Sequence, residues 1–375
     1  MVLDATFACP VKISSGTAPD EISRLLDGRQ YTIVTSNFWK QKNIDKIIAG
    51  HCSPPVSVIS DIAPNPRFSS IPSLVKELNT SDVIVAIGGG SVLDTAKALV
   101  ALRALDGDIG AFQKHLTNGE PIPGQLKFLP IIAVPTTAGT GSEVTQWGTM
   151  WGDDGTKFSV NDPRLYPSHA VLDPTLTLTM KQALTIATGL DALSHACEAI
   201  WNKRHSPLTD LLAEQAIRTI HQNLETAIQK PLDRTARKHL QTASLVAGLA
   251  MGTTQTALAH SISYPLTARF GIPHGIACSF TLGEVARYNM ETHHDRLSII
   301  ASGLECETTL IPTILEGWMK DLGIGATLSE KANTNEISRL GASLINPKRA
   351  KNNIRNVDSK AANLIATNAF RTFTS

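Results

Sequence analysis

Four short runs of β-branched and aliphatic residues, set among helix-like stretches, constrain this 375-residue chain more than any other feature. They are Tyr31–Thr35 (YTIVT), Val56–Ile59 (VSVI), Val83–Ile87 (VIVAI) and Ile131–Val134 (IIAV), and each reads as a buried strand. Ile22–Leu26, Ile71–Leu78 and Val92–Ala104 lie between or after them with helical spacing. Strands alternating with helices build βαβ units, so a mostly parallel sheet is expected, with ligands at the carboxyl ends of its strands. Past the turn-rich Leu172-Asp173-Pro174 the strand signal stops. Ala187–Trp201, Leu208–Gln229, Arg234–Met251 and Leu297–Leu322 then carry the three-to-four spacing of helices. The expectation is an α/β domain over 1–175 and an all-helical domain over 176–375. The polar, Asn-rich tail after Pro347 has the weakest pattern.

Composition removes several function classes. The 34 Lys+Arg and 33 Asp+Glu leave a net charge of +1. No basic run stands out, which argues against nucleic acid as the main partner, because phosphate binding needs clustered cations. A 42% hydrophobic content excludes a disordered or fibrous chain. The five cysteines are odd in number, widely spaced and never CxxC, so neither a disulfide framework nor a zinc knuckle fits. The start MVLDATFACPVKISSG lacks the basic, then apolar, pattern of a secretory signal. No stretch supplies the roughly 18 consecutive apolar residues of a membrane span. A soluble protein of a reducing cytoplasm, without membrane partners, is expected.

Two loops suggest a nucleotide. In VIVAIGGGSVLDTAK an apolar strand runs into Gly88, Gly89 and Gly90, then Ser91 and a helix carrying Asp94. Glycines at a strand-to-helix turn let backbone N–H groups approach an anion, and the helix aims its positive end at the same place. The glycines are consecutive, so this is not a GxGxxG fingerprint, and a simple tight turn is the plainer alternative. The second loop, IIAVPTTAGTGSEVT over residues 131–145, offers hydroxyls at Thr136, Thr137, Thr140 and Ser142 and space at Gly139 and Gly141. Two such loops after neighbouring strands would wall one crevice, which suits a dinucleotide. Ser36 follows YTIVT where an acid commonly binds the ribose 2′-OH and repels a 2′-phosphate. A neutral residue there, with Lys40 and Lys42 nearby, leaves NADP tolerated alongside NAD.

The helix TGLDALSHACEAIW has an apolar stripe of Leu190, Leu193, Cys197 and Ile200 and a polar one of Asp191, Ser194, His195 and Glu198. Asp191 and His195 stand one turn apart, where two side chains can share a cation, although for one such pair alone a solvated polar face is the preferred reading. His260 in TALAHSISYPL and His274 in GIPHGIACS lie in nearly uncharged surroundings. A carboxylate with three imidazoles suits Fe²⁺ or Zn²⁺ with space for a substrate oxygen. His51, His115, His221, His293 and His294 sit in polar contexts and are expected to be exposed.

Together, GGGSVLDTAK, PTTAGTGSEVT, GLDALSHACEA and the His260/His274 pair resemble the iron-containing (group III) alcohol dehydrogenases over about residues 5–350. The resemblance implies the dehydroquinate synthase-like architecture: an α/β dinucleotide-binding domain, a helical metal-binding domain and a catalytic cleft between them, in a homodimer. It places Asp191, His195, His260 and His274 as metal ligands. Among cofactor contacts it places Gly90, Ser91, Thr136, Thr137 and Thr140, with Asn65 and Lys157 reaching the nucleotide; Ser36, Gly88, Gly89 and Asp94 are counted with them. Tyr264 stands where many members carry a histidine proposed to pass protons. With an ordinary pKa near 10 it is a poorer base, and it is expected to shape the pocket.

The runs TQWGTMW, HACEAIW and SISYPLTARFGIPHGIACS look like the phosphonoacetaldehyde reductase branch, which makes 2-hydroxyethylphosphonate. A dianionic substrate needs fixed positive charge; Arg269, Lys203 and Arg204 are candidates, as they are for ordinary surface cations. Trp147 and Trp151 could wall the pocket or be core. The implied reaction is hydride transfer between NAD(P)H and a small aldehyde or primary alcohol. A general primary-alcohol dehydrogenase, or a lyase-type relative such as dehydroquinate synthase, is the alternative.

Overall fold

In the computed structural model, which describes residues 7–78 and 80–374, the four expected strands lie in one parallel sheet. Its members are β1 (Lys12–Ser15), β2 (Tyr31–Thr35), β3 (Ser57–Ile59), β4 (Val83–Gly88), β5 (Ile131–Pro135) and β8 (His169–Leu172), in the order β1-β8-β5-β4-β2-β3. An antiparallel hairpin of β6 (Trp147–Trp151) and β7 (Lys157–Asn161) stands apart from it. The fully buried β2, β4 and β5 read as continuous apolar runs because helices cover both faces of a parallel sheet. The sequence reading did not anticipate β1, β8 or the hairpin. β1 is a partly exposed edge strand with little apolar signal, and β8 is only four residues long.

The order fixes where a ligand can sit. From β2 the chain places β3 on one side and β4 on the other, so the sheet reverses direction between β2 and β4. Open parallel sheets bind ligands at the carboxyl ends flanking such a reversal. Ser36 follows β2, Gly88 ends β4 with Gly89 and Gly90 directly after it, and Thr136 follows β5. His115 is a correction in this unit. It is buried rather than exposed, with Nδ1 donating to the Glu120 carbonyl (2.6 Å) and Nε2 accepting from the Asn161 N–H (3.2 Å).

Among the described residues, those within 9–137 and 141–178 form one compact unit, and those within 138–140 and 179–374 the other. The second unit is helical. Its central helix, Gln182–Ile200, is buried almost all round, and its Leu190, Leu193 and Ile200 share a core with Ile217, Leu224 and Leu240 from the helices Pro207–Gln229 and Arg234–Thr254. The expected segment Leu297–Leu322 is broken. Helix Leu282–Leu304 ends at Glu305 in the left-handed region (φ 56°), and a new helix spans Ile311–Asp321. The tail is better ordered than its composition suggested. Helix Ser359–Thr374 puts Ile365 and Phe370 into the core, and buried Asn352 and Asn353 each donate two hydrogen bonds from their side-chain amide nitrogens. Among the described residues no helix is long and apolar enough to cross a membrane.

Candidate metal centre and nucleotide-binding edge

The polar stripe on helix Gln182–Ile200 is not a solvated face. Asp191, His195 and Glu198 are 4%, 5% and 0% exposed, so whatever satisfies them is inside the protein. The helix Leu258–Phe270 brings in His260, whose ring stacks on His195 with centroids 4.7 Å apart. The short helix His274–Ser279 brings in His274, whose ring meets His260 edge-on at 5.4 Å. This short helix can approach only because residue 275 is glycine: a Cβ there would lie 1.8 Å from the Ala187 carbonyl oxygen. Asp191 Oδ1 faces His260 Nε2 at 3.6 Å and His195 Nε2 at 3.9 Å.

Two groups behind these side chains fix their orientation. Glu198 accepts a hydrogen bond from His260 Nδ1 (2.6 Å) and others from the N–H groups of His260 (3.1 Å) and Ala257 (2.9 Å). His195 Nδ1 donates to the Gly139 carbonyl (3.2 Å). With both Nδ1 atoms committed as donors, both Nε2 lone pairs are left toward Asp191, the usual way a ligating imidazole is set. Asp191 Oδ1 and His260 Nε2 are buried without a hydrogen-bond partner. Orphaned buried acceptors are costly, and here they converge, so the donor set fits a divalent cation. Burial pushes the Asp191 carboxyl up, but the surrounding imidazoles of His195, His260 and His274 outweigh it and hold the group well below the usual carboxylate range. Burial also keeps His195 below its ordinary value, in its neutral ligating form.

Of the four residues expected as ligands, Asp191, His260 and His274 put donor atoms into one set within 4.8 Å, and His195 lies beside it, stacked on His260 with Nε2 3.9 Å from Asp191 Oδ1. The structure adds a fifth group. Cys278, one turn beyond His274, places Sγ 3.7 Å from His274 Nε2, and its sulfur lies with donor atoms of Asp191, His260 and His274 in a set spanning no more than 4.8 Å. Glu198 stood in the polar stripe but without an assigned part, and Gly139 had been read only as space. Nothing in the residue type marked its carbonyl. Gly139 is glycine for packing, since a Cβ would come within 2.8 Å of the Thr188 carbonyl oxygen.

Tyr264 stacks on His274 at 6.5 Å, on the partly exposed side of the cluster. Its hydroxyl accepts from Arg349 Nε (3.3 Å), and Arg349 Nη1 donates to Gln255 Oε1 (3.2 Å). Arg349 lies in the tail and no sequence signal pointed to it. The three expected cations are placed differently: Arg269 is exposed on the last turn of its helix, Arg204 is exposed, and Lys203 Nζ is tied to the Lys351 carbonyl and Asn356.

In the α/β unit Ser36, the segment from Gly88 to Ser91, Thr136 and Thr137 lie at the carboxyl ends of β2, β4 and β5. The helix Gly90–Ala104 starts at Gly89 without a side-chain cap, the kind of helix start that suits an anion. Gly88 is required by packing, since a Cβ would lie 2.5 Å from Val92. The Asn65 N–H donates to Ser91 Oγ (3.2 Å), and the Thr136 N–H joins the loops by donating to the Gly88 carbonyl (3.0 Å). Lys157 lies over the Trp151 ring at 5.8 Å; Trp151 is buried and Trp147 partly exposed. Asp94 and Ser142 prove to be internal ties. Asp94 accepts from Ser142 Oγ (2.7 Å) and the Thr149 N–H (2.8 Å), while fully buried Lys97 donates to the Ser142 and Trp147 carbonyls. Both Asp94 oxygens are thus engaged in shaping the loop. Thr137 packs beside Gly89, and Thr140 lies with the helical unit. Ser36 is partly exposed at the end of β2. Of the two lysines near it, Lys40 is paired with Asp45 (2.7 Å).

Comparison with known proteins agrees with this arrangement. The profile described as iron-containing alcohol dehydrogenase matches residues 10–174, and that of the C-terminal part of the Fe-containing alcohol dehydrogenase family matches 185–372. The chain is 34% identical to 1,3-propanediol dehydrogenase of Klebsiella pneumoniae over 75% of its own length and 73% of the relative's. It is 38% identical to phosphonoacetaldehyde reductase of Streptomyces viridochromogenes over 63% of its length and 60% of the relative's. The structure of sulfoacetaldehyde reductase from Bifidobacterium kashiwanohense in complex with NAD⁺ superposes with a TM-score of 0.88 at 29% identity, covering 99% of both chains.

Proposed function

Because the chain belongs to the iron-containing alcohol dehydrogenase family, we propose that it reversibly reduces phosphonoacetaldehyde to 2-hydroxyethylphosphonate with NAD(P)H. The observation that carries the reductase reading is the convergence of the unpartnered Asp191 Oδ1 and His260 Nε2 with two further imidazoles. The phosphonate is supported by the likeness to a phosphonoacetaldehyde reductase and by a guanidinium one tyrosine ring away from His274.

Asp191, His195, His260 and His274 would hold the ion, Fe²⁺ or Zn²⁺. When bound, the ion supplies Lewis-acid polarisation of a carbonyl oxygen, and the reduced nicotinamide supplies hydride. Glu198 and the Gly139 carbonyl keep two of the imidazoles in the ligating tautomer. Within the α/β unit Gly88, Gly89, Gly90, Ser91, Thr136 and Thr137 receive the dinucleotide phosphates, with Asn65 and Lys157 as further contacts. Tyr264, its hydroxyl occupied by Arg349, forms a pocket wall, and the alcohol's proton comes from solvent.

The test is a side-by-side assay, followed at the NAD(P)H absorbance, of metal-reconstituted enzyme on phosphonoacetaldehyde and propanal, with 1,3-propanediol in the reverse direction. We expect kcat/KM for phosphonoacetaldehyde to exceed that for propanal by about 100-fold, equivalent to about 2.7 kcal/mol. Parity would leave a general primary-alcohol dehydrogenase. No net cofactor consumption with any substrate would point to the lyase-type alternative.

Cofactor choice gives a separate expectation. With a serine at position 36, NADPH is expected to be used within about tenfold of NADH in kcat/KM, or about 1.4 kcal/mol. The Asp61 carboxylate accepts a hydrogen bond from the amide of neighbouring Asn37 at 3.4 Å. A preference for NADH above about 100-fold would show that Asp61 does what an acid at position 36 does elsewhere.

A further inference from the structure

We infer that Arg349 recognises the substrate's anionic head group, and that Gln255 and Tyr264 position it to do so. The inference rests on the proposed aldehyde reduction and names the residue that would select its substrate.

The first observation is an unneutralised cation. Arg24, Arg67, Arg164, Arg218, Arg287, Arg296 and Arg355 each pair with a carboxylate. Arg349 is partly buried, yet among the described residues it forms no ion pair. Its two side-chain partners are a phenol and an amide, both neutral. Nη2 has no hydrogen bond among the described residues. Arg237 is also without a carboxylate, but it spends its N–H groups on the Pro231 and Met180 carbonyls and the Thr185 hydroxyl; Arg349 keeps N–H donors to spare, and a charge-assisted bond to an anion is the strongest use for them.

The second observation is location. Tyr264 links Arg349 directly to His274, and both Tyr264 and His274 lie on the side of the cluster that is not fully buried, whereas Asp191, His195 and His260 are closed off. A carbonyl oxygen directed at the ligand set from that side would bring a head group two carbons away towards Arg349. A planar fork of N–H donors suits a tetrahedral oxyanion, phosphonate or sulfonate, and has nothing to offer a methyl group.

The third observation is pre-organisation. Gln255 has φ 63° and ψ 169°, a backbone conformation that a non-glycine residue holds only when its surroundings impose it. Here the Asn202 amide donates to the Gln255 carbonyl (2.9 Å) and the Asn352 amide to the Thr256 carbonyl (2.9 Å). Arg349 sits on the short helix Pro347–Ala350, capped by Asn346, whose own N–H donates to Ser261 Oγ (2.7 Å). The strained turn and the capped helix are locked to each other, so the guanidinium is held before substrate arrives. Such strain is typical of binding positions.

The experiment uses the metal-reconstituted enzyme, Arg349→Met and Arg349→Lys. It measures kcat/KM for phosphonoacetaldehyde, sulfoacetaldehyde and propanal, and calorimetric binding of 2-hydroxyethylphosphonate. For Arg349→Met we expect the ratio of anionic-aldehyde to propanal kcat/KM to fall at least about 30-fold, mostly through KM, with product binding weakened in parallel. Should Arg349→Met not fold, Arg349→Lys carries the test, with an expected fall of about tenfold because the two-point fork is lost. An unchanged ratio in a folded variant overturns the inference. Wild-type enzyme that fails to prefer either anionic aldehyde over propanal overturns the substrate reading itself, a result separable from any effect at Arg349. The wild-type ratio between the two anionic aldehydes identifies which oxyanion the site reads.

Discussion

Replacing His274 by alanine is expected to remove most of the bound divalent ion and lower turnover by about 1,000-fold, while nucleotide affinity and helical content stay close to wild type. The argument is local. His274 opens a short helix whose other residues are buried, but is itself only partly buried, meeting His260 by its ring edge and Tyr264 by its face. Its loss therefore opens a small space without dismantling the core formed by helix Gln182–Ile200 and its neighbours. The remaining donors keep their orientation through Glu198 and Gly139. A Lewis acid contributes several kcal/mol to stabilising developing negative charge, and about 4 kcal/mol corresponds to that loss of rate. The checks are metal content by mass spectrometry after reconstitution, nucleotide titration and steady-state turnover. A His274→Ala protein with one equivalent of metal and full turnover would falsify the assigned ligand set.

Glu198→Ala should act through both stability and metal binding. The carboxylate accepts three hydrogen bonds in a site with no solvent exposure. Truncation strands the Nδ1–H of His260 and two backbone N–H groups, and breaking such a buried charged network costs about 3–5 kcal/mol. Freed from its partner, the His260 ring loses its fixed tautomer, and metal affinity is expected to fall about 10–100-fold. Burial raises the Glu198 pKa, but the His260 imidazole and the N–H donors outweigh it and leave the group below its ordinary value of 4.5. A depressed carboxyl stabilises the fold above its unfolded pKa, and that contribution is lost as pH falls through the folded value. The stability gap between wild type and Glu198→Ala, measured by denaturant titration of apo protein, should thus be full at pH 7 and shrink below about pH 4. A gap that widened on acidification would mean that Glu198 is not the ionised partner of His260.

The difference between these two residues shows how far sequence could reach. His274 was visible because an imidazole between glycine and apolar residues is chemically out of place, and because Asp191 and His195 had already marked a ligand pair on one helix face. Glu198 was visible as a residue but not as a partner, since its contact with His260 spans 62 positions. Cys278 sits one helical turn from His274, yet only the packing of the short helix against Ala187 turns its sulfur toward the same donors. Asp94 stands with the expected nucleotide contacts because it follows the glycines; the hairpin N–H of Thr149 and the Ser142 hydroxyl that occupy its oxygens come from 55 and 48 positions away.

Periodicity and residue type are local properties, and they determined what is local. The alternation of strands and helices gave the α/β unit, the loss of strand runs after Pro174 gave the helical unit, and helical spacing gave the Asp191/His195 pair. Tertiary structure alone decided which backbone carbonyl orients His195 across 56 positions. It also set Arg349 against Tyr264 across 85 positions. Carbonyls carry no side-chain signature, and a tail arginine looks like any surface cation until the chain has closed around it.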